Sequence, residues 1–224
     1  MFLPLRDENP TRRFPAVTIL LIASNVLIFL AQAFSHEGLV YYVQKMGLIP
    51  YEITHFQSLP YLPRLSPALT LLTSMFLHGS VFHILGNMLY LWIFGNNVED
   101  YLGSFRFVFF YLLAGLAASL TQIAFNPNSR VPMIGASGAV AGVLGAYLLL
   151  FPGARVMTLV FLFVFIRVVP IPAVYVLGFW FLAQVLNLGL GGGVAWFAHV
   201  GGFLAGFVLI RGFSRRRGRR LWMN

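Results

Sequence analysis

The 224-residue chain contains no cysteine, so neither a disulfide nor a thiolate metal site can contribute to it. Charge is scarce as well: Asp, Glu, Lys and Arg make up 9% of the residues, against about 25% in a soluble domain. What charge there is leans one way, with 6 acidic and 15 basic residues. So few charges among 59% hydrophobic residues cannot coat a water-facing globule, and a bilayer is the solvent that suits them. The apolar runs carry no acidic residue in their cores, whereas an ion-coupled transporter normally needs a membrane carboxylate. No internal repeat and no symmetric pair of broken apolar segments supports a transporter or channel either. The length allows several spans with short connections but no large soluble domain beside them.

A span needs about 20 mainly apolar residues. Six segments meet or approach this: 14–34, 69–95, 105–125, 137–151, 171–188 and 196–211. They lack the alternation of strands, and backbone in lipid must bond within its own segment, so helices are expected. Segment 156–169 is also apolar, but Arg155, Arg167 and Pro170 bracket it too closely for a span, and it reads as an interfacial connector. The expected fold is an all-α membrane protein, a bundle of six transmembrane helices with a long first extracytoplasmic loop over 35–68. That loop carries Pro50, Pro60, Pro63 and Pro67, with Tyr41, Tyr42, Tyr51 and Tyr61, residues suited to the membrane interface. The chain divides into a cytoplasmic N-terminal segment 1–13, a membrane domain 14–211 and a basic cytoplasmic tail 212–224.

The positive-inside rule orients these spans. With both termini cytoplasmic, twelve basic residues lie inside, and Lys45, Arg64 and Arg130 lie outside. Basic flanks at both ends also require an even number of spans. The arginines of 215–220 could suggest a nucleic-acid patch, but a topology anchor facing anionic lipid explains them better, and no nucleic-acid partner is expected. Ala31-Gln32-Ala33 looks like a signal-peptidase site, yet the apolar run before it is long for a signal and thirteen residues precede that run. The expected location is a bacterial plasma membrane, crossed several times.

Ionisable and polar groups in a span are costly, so each is a functional candidate. His83 and Asn87 lie in the second segment, Ser137 opens the fourth, and His199 lies in the sixth. Counting inward at 1.5 Å per residue, about 21 Å of helix follows Ser137 and about 18 Å follows His199. Both side chains should therefore sit at a similar height beneath the outer surface. His199, Gly202 and Gly206 share one helical stripe, and Ser137, Gly138, Ala141, Gly142 and Gly145 form a small-residue surface. Two such faces let backbones approach closely in lipid, although small-residue motifs alone point only to helix packing. His78 is expected at the outer mouth of the second segment, in a structural role such as bonding the long loop; nothing marks His36 or His55.

A serine hydroxyl needs a base, and an imidazole with a pKa of about 6.5 can take its proton and later return it to a leaving amine. No carboxylate is available to orient that imidazole, so a dyad is the most these residues support. Acyl transfer also needs donors aimed at the developing oxyanion, worth about 3–4 kcal/mol each. His83 and Asn87, spaced i, i+4, project from one face and can donate, as can the Ser137 N–H at a helix N-terminus. An interhelical polar clasp is the structural alternative for His83 and Asn87. No cofactor and no metal site is expected.

Gly135-Ala136-Ser137-Gly138 resembles the GxSG motif of rhomboid intramembrane proteases. Ala198-His199 followed by Gly202 and Gly206 resembles that family's AHxxGxxxG, and His83 through Asn87 resembles its HxxxN. Residues 95–100 look like the family's loop after the second helix. A GxSG is weak alone; three motifs in this order are specific, and the likeness covers about residues 69–211. The resemblance implies Ser137 as nucleophile, His199 as general base, and His83, Asn87 and the Ser137 backbone as oxyanion donors. Gly135, Gly138, Gly142, Gly202 and Gly206 would support helix packing. Substrates would be single-span membrane proteins cut near the outer face, with a small residue before the scissile bond. The fifth span and its following loop would gate entry, which draws attention to Phe179, Trp180 and Phe181. Two departures stand out. Some members place an aromatic residue four positions after the nucleophile, where this chain has Ala141. The Trp-Arg pair of some members' outer loop is also absent. A catalytically inactive relative acting as a binding module is the rival reading; such forms typically lose the serine or the histidine, and both are present here.

Overall fold

The computed structural model describes residues 2–59, 65–162, 165–190 and 193–213. Arg64, Tyr61, Pro60, Pro63 and the basic tail arginines lie outside the described residues. Strand β1 (Phe2–Asp7) precedes α1 (Ala16–Phe34), and the next connection carries α2 (Gly38–Met46) and α3 (Pro50–His55). Helix α4 (Pro67–Thr73) ends in a short 3-10 turn, Ser74–Phe76, before α5 (Val81–Leu102) and α6 (Ser104–Phe125). Then come α7 (Ser137–Leu150), β2 (Arg155–Leu162), β3 (Phe165–Pro172), α8 (Ala173–Leu186) and α9 (Trp196–Phe213).

Among the described residues, three helices, α1, α6 and α9, are long and apolar enough to cross a membrane. A fourth candidate is bent: Pro67–Phe76 and Val81–Leu102 meet at 79°. The single run expected over 69–95 is therefore broken in two. The bend has a local cause: Ser80 is extended, and its hydroxyl accepts the His83 N–H at 3.2 Å, so a new helix starts there. Helix α5 then runs past Gly95 to Leu102, so residues 95–100 are helical and not the expected loop. Gly103 stops it at φ +79°, a conformation glycine tolerates. Helices α7 and α8 are shorter apolar helices of 14 residues each. The connection over 35–68 is partly helical, carrying α2, α3 and the start of α4.

The interfacial connector expected at 156–169 is instead a hairpin, and β1 adds to it in an antiparallel sheet of order β1-β2-β3. The fold is mostly helical, not all-α. Apolar β-branched residues make this sheet possible, and its prolines are confined to the edge strands. Pro4 lies in β1, Pro170 and Pro172 in β3, both edge strands, and β2 has none. Along β2, Val156, Thr158 and Val160 are buried in alternation.

Glu99 joins the first half of the bundle. Its carboxylate accepts the main-chain N–H groups of Val17 and Thr18 at 3.0 and 2.8 Å, the Thr18 hydroxyl at 2.8 Å and the Ser104 hydroxyl at 2.6 Å. It thus satisfies two of the orphan donors of α1 and faces the positive end of its dipole. Glu99, expected in a loop, is a buried part of α5. The core lies around α7, whose Val143, Leu144 and Tyr147 pack among Phe94, Phe107, Phe110 and Tyr111.

Candidate active site

Helices α7 and α9 lie backbone to backbone, which requires glycine at their contact. A Cβ on Gly202 would overlap the Gly138 carbonyl, and one on Gly206 would overlap the Gly142 main chain. From the other side, a Cβ on Gly145 would overlap the Phe203 carbonyl. Alanine also takes part, because Ala118 of α6 fills the space beside Gly138, and Ala114 that beside Gly142. Small-residue contacts of this kind replace hydrophobic sorting as the packing force in lipid.

The approach brings the first residue of α7 beside the first turn of α9. His199 Nε2 stands 2.8 Å from Ser137 Oγ, a hydrogen bond between groups 62 residues apart. The start of α9 is held by Gln122 of α6, whose Oε1 accepts the Ala198 N–H at 3.2 Å, one of that helix's orphan donors. The other imidazole nitrogen, Nδ1, lies 2.8 Å from Oε1 of Gln184 on α8. Gln184 Nε2 donates to the Trp180 carbonyl at 3.0 Å, one turn earlier. Trp180 and Trp196 flank the imidazole, each with its ring centroid 6.0 Å away. Ala141 is fully buried within α7. The aromatic surroundings of His199 therefore come from α8 and α9 rather than α7.

Sequence reasoning missed Gln184. Its signal was available: it is a carboxamide in a 14-residue helix that is otherwise almost wholly apolar. The three aromatics before it part company in space. Trp180 faces His199 and Phe203, Phe181 stacks on Phe203 at 4.5 Å, and Phe179 is exposed with its ring edge toward Phe2 of β1.

His83 and Asn87 converge on the chain just before Ser137. Gly135 has φ +114°, and a Cβ there would stand 2.7 Å from His83 Nε2 and 3.6 Å from Asn87 Nδ2. Glycine is thus required twice over, by backbone angle and by crowding. The Gly135 N–H is anchored on the Ser74 carbonyl at 2.9 Å. Asn87 Nδ2 lies 3.0 Å from His78 Nε2, and His78 stacks edge-on to His83 at 5.0 Å. His78 is buried, with Asn87 as its side-chain partner rather than the long outer loop.

A cavity of about 20 Å³ opens beside Ser137, room for about one water; Gly115, Ala118 and Ala198 line it together with Met75, Met133 and Ile134. A wider one of about 220 Å³ lies between residues 126–133 and the start of α9, with Trp196 and Met133 on its wall. Chemically, the arrangement offers a hydroxyl joined to an imidazole at a helix N-terminus, with side-chain donors nearby.

Comparison with known proteins adds an independent line. The family model described as Rhomboid domain matches residues 66–216. "Rhomboid protein 1, mitochondrial" of Saccharomyces cerevisiae is 34% identical over 168 residues, 68% of this chain and 45% of the yeast protein. "Rhomboid protease GluP" of Bacillus subtilis is 35% identical over 140 residues, 61% of this chain and 24% of GluP. "RHOMBOID-like protein 4" of Arabidopsis thaliana is 35% identical over 147 residues, 62% of this chain and 32% of the plant protein. The chain thus spans less than half the length of these relatives. With most of its length matched by one family model, and with its membrane helices, this chain belongs to the rhomboid family of multi-pass membrane proteins.

Proposed function

We propose that the protein is an intramembrane serine endopeptidase that cleaves transmembrane segments of membrane proteins with a Ser137–His199 dyad. The observation that carries this reading is the 2.8 Å contact between Ser137 Oγ and His199 Nε2. Oγ attacks the scissile carbonyl while Nε2 takes its proton, giving a tetrahedral oxyanion. The Ser137 N–H, Asn87 Nδ2 and His83 donate to that oxygen, and the N-terminal dipole of α7 has the right sign for it. Collapse expels the amine, which takes the proton from His199 and leaves an acyl-Ser137 ester. Water, deprotonated by the same imidazole, hydrolyses the ester and restores the enzyme.

Six crossings, with both termini cytoplasmic, accompany this reading. They combine the three long helices, the bent pair, α7 and α8, and follow the distribution of basic residues. Ser137 and His199 then open toward the outer side, where single-span substrates would be cut. The narrow cavity beside Ser137, about 20 Å³, favours a small side chain before the scissile bond.

The test is covalent labelling with a fluorophosphonate in detergent or liposomes. Wild type should be labelled at Ser137, located by mass spectrometry, and Ser137→Ala should not. Folded wild-type protein that stays unlabelled and leaves single-span substrates intact would sink the reading.

A further inference from the structure

We propose that Gln184 is the positioning residue of His199, holding the proton on Nδ1 so that the Nε2 lone pair faces Ser137. The inference rests on the proteolytic reading above and adds to it the group that orients the base.

A neutral imidazole has one N–H and one lone pair, and which nitrogen carries which is set by its partners. Gln184 offers either an oxygen, which only accepts, or an amide nitrogen, which donates. Its own second contact decides between them. The Trp180 carbonyl can only accept, so the group 3.0 Å from it must be the Gln184 NH2. The oxygen is thereby turned toward His199, 2.8 Å from Nδ1. Nδ1 must then donate, and Nε2, 2.8 Å from Ser137 Oγ, is left as acceptor for the hydroxyl proton. A flipped amide would donate to Nδ1, push the proton to Nε2 and leave the base without a free lone pair.

Helical spacing makes this arrangement rigid. Trp180 and Gln184 are one turn apart on α8, so the residue that anchors the amide also flanks the imidazole. Gln184 is 7% exposed. A buried carboxamide is costly unless bonded, and packing alone would be served better by Leu or Met. A carboxamide also orients the ring without bringing a second charge into the membrane, which a carboxylate would do. When the imidazolium forms, its Nδ1–H stays bonded to Gln184 while its Nε2–H is delivered to the leaving amine.

The test uses two isosteric variants of the full chain, assayed with a quenched-fluorescent transmembrane peptide and with fluorophosphonate. Gln184→Met keeps the volume and removes the acceptor; kcat should fall about 10–100-fold with KM little changed, as for loss of an orienting group. Gln184→Glu keeps an acceptor and adds charge; it should retain turnover at high pH, with the acid limb of its pH–rate profile moved upward. A role in packing alone predicts no such movement. Nitrogen-15 spectra of labelled histidine should show the Nδ1–H form of His199 in wild type and a mixture in Gln184→Met. The proposal is overturned if wild type is active while Gln184→Met keeps its kcat, or while Gln184→Glu leaves the acid limb in place. Unlabelled, inactive wild type would instead remove the proteolytic reading beneath it.

Discussion

Among individual residues, the environment of Asn87 separates two roles that its sequence position left open. Asn87 is 8% exposed, and its amide nitrogen lies 3.0 Å from His78 Nε2, on the side that faces Gly135. One N–H is taken by His78 Nε2, and the amide retains a second donor. As an oxyanion donor it would act chiefly in the transition state. Asn87→Ala should lower kcat about 10²–10³-fold with little change in KM. A pure interhelical clasp predicts lower thermal stability with kcat retained per folded molecule, so steady-state kinetics beside a melting curve distinguish the two. The HxxxN spacing was legible in sequence. The His78 contact was not, because it depends on the bend before α5.

At the scale of elements, the decisive contact is the glycine seam between α7 and α9. Gly202→Leu must push the helices apart or clash with the Gly138 carbonyl, and overpacking of this kind costs about 1–3 kcal/mol. Activity should fall sharply even where expression is normal, since Ser137 and His199 are carried by the two helices being separated. Gly178 provides the control. It lies on α8 with open space where its Cβ would be, and Gly178→Ala should melt no lower than wild type. Equal activity in Gly202→Leu and wild type, read as substrate cleavage per folded protein, would discredit the close-approach argument. The seam was readable as a periodic pattern of small residues. The third partner, α6, was not, because Ala114 and Ala118 look like ordinary apolar positions until the helices are brought together.

For the molecule as a whole, the N-terminal segment is tied into the bundle. Asp7 at the end of β1 accepts the Tyr147 hydroxyl at 2.6 Å and the Asn97 side-chain amide at 2.8 Å, joining the sheet to α7 and α5. Burial pushes the Asp7 carboxyl above the usual carboxylate range, against the opposing effect of Tyr147 and Asn97. A raised native value favours folding most at low pH, and this contribution is lost as pH rises through that value. Asp7→Asn keeps an acceptor for both donors and has no charge to bury. It should melt higher than wild type at neutral pH, with the gap closing toward about pH 4. A lower melting temperature at neutral pH would contradict this. Asp7→Leu strands the Tyr147 hydroxyl and should cost about 1–3 kcal/mol in the same melts.

The sequence by itself determined the membrane character, the helical majority and the residue types available for chemistry. These follow from local composition and spacing, which lipid constrains tightly. It also marked Ser137, His199, His83 and Asn87, because polar groups are conspicuous in apolar runs. Tertiary structure alone decided the three-stranded sheet, since β1 and β2 lie about 150 positions apart and their pairing leaves no local trace. The bend before α5 and the burial of Glu99 belong to the same class, as each depends on what packs alongside. So does the carboxamide on His199: Gln184 and the imidazole are 15 residues apart on different helices, and only the docking of α8 on α9 makes them neighbours.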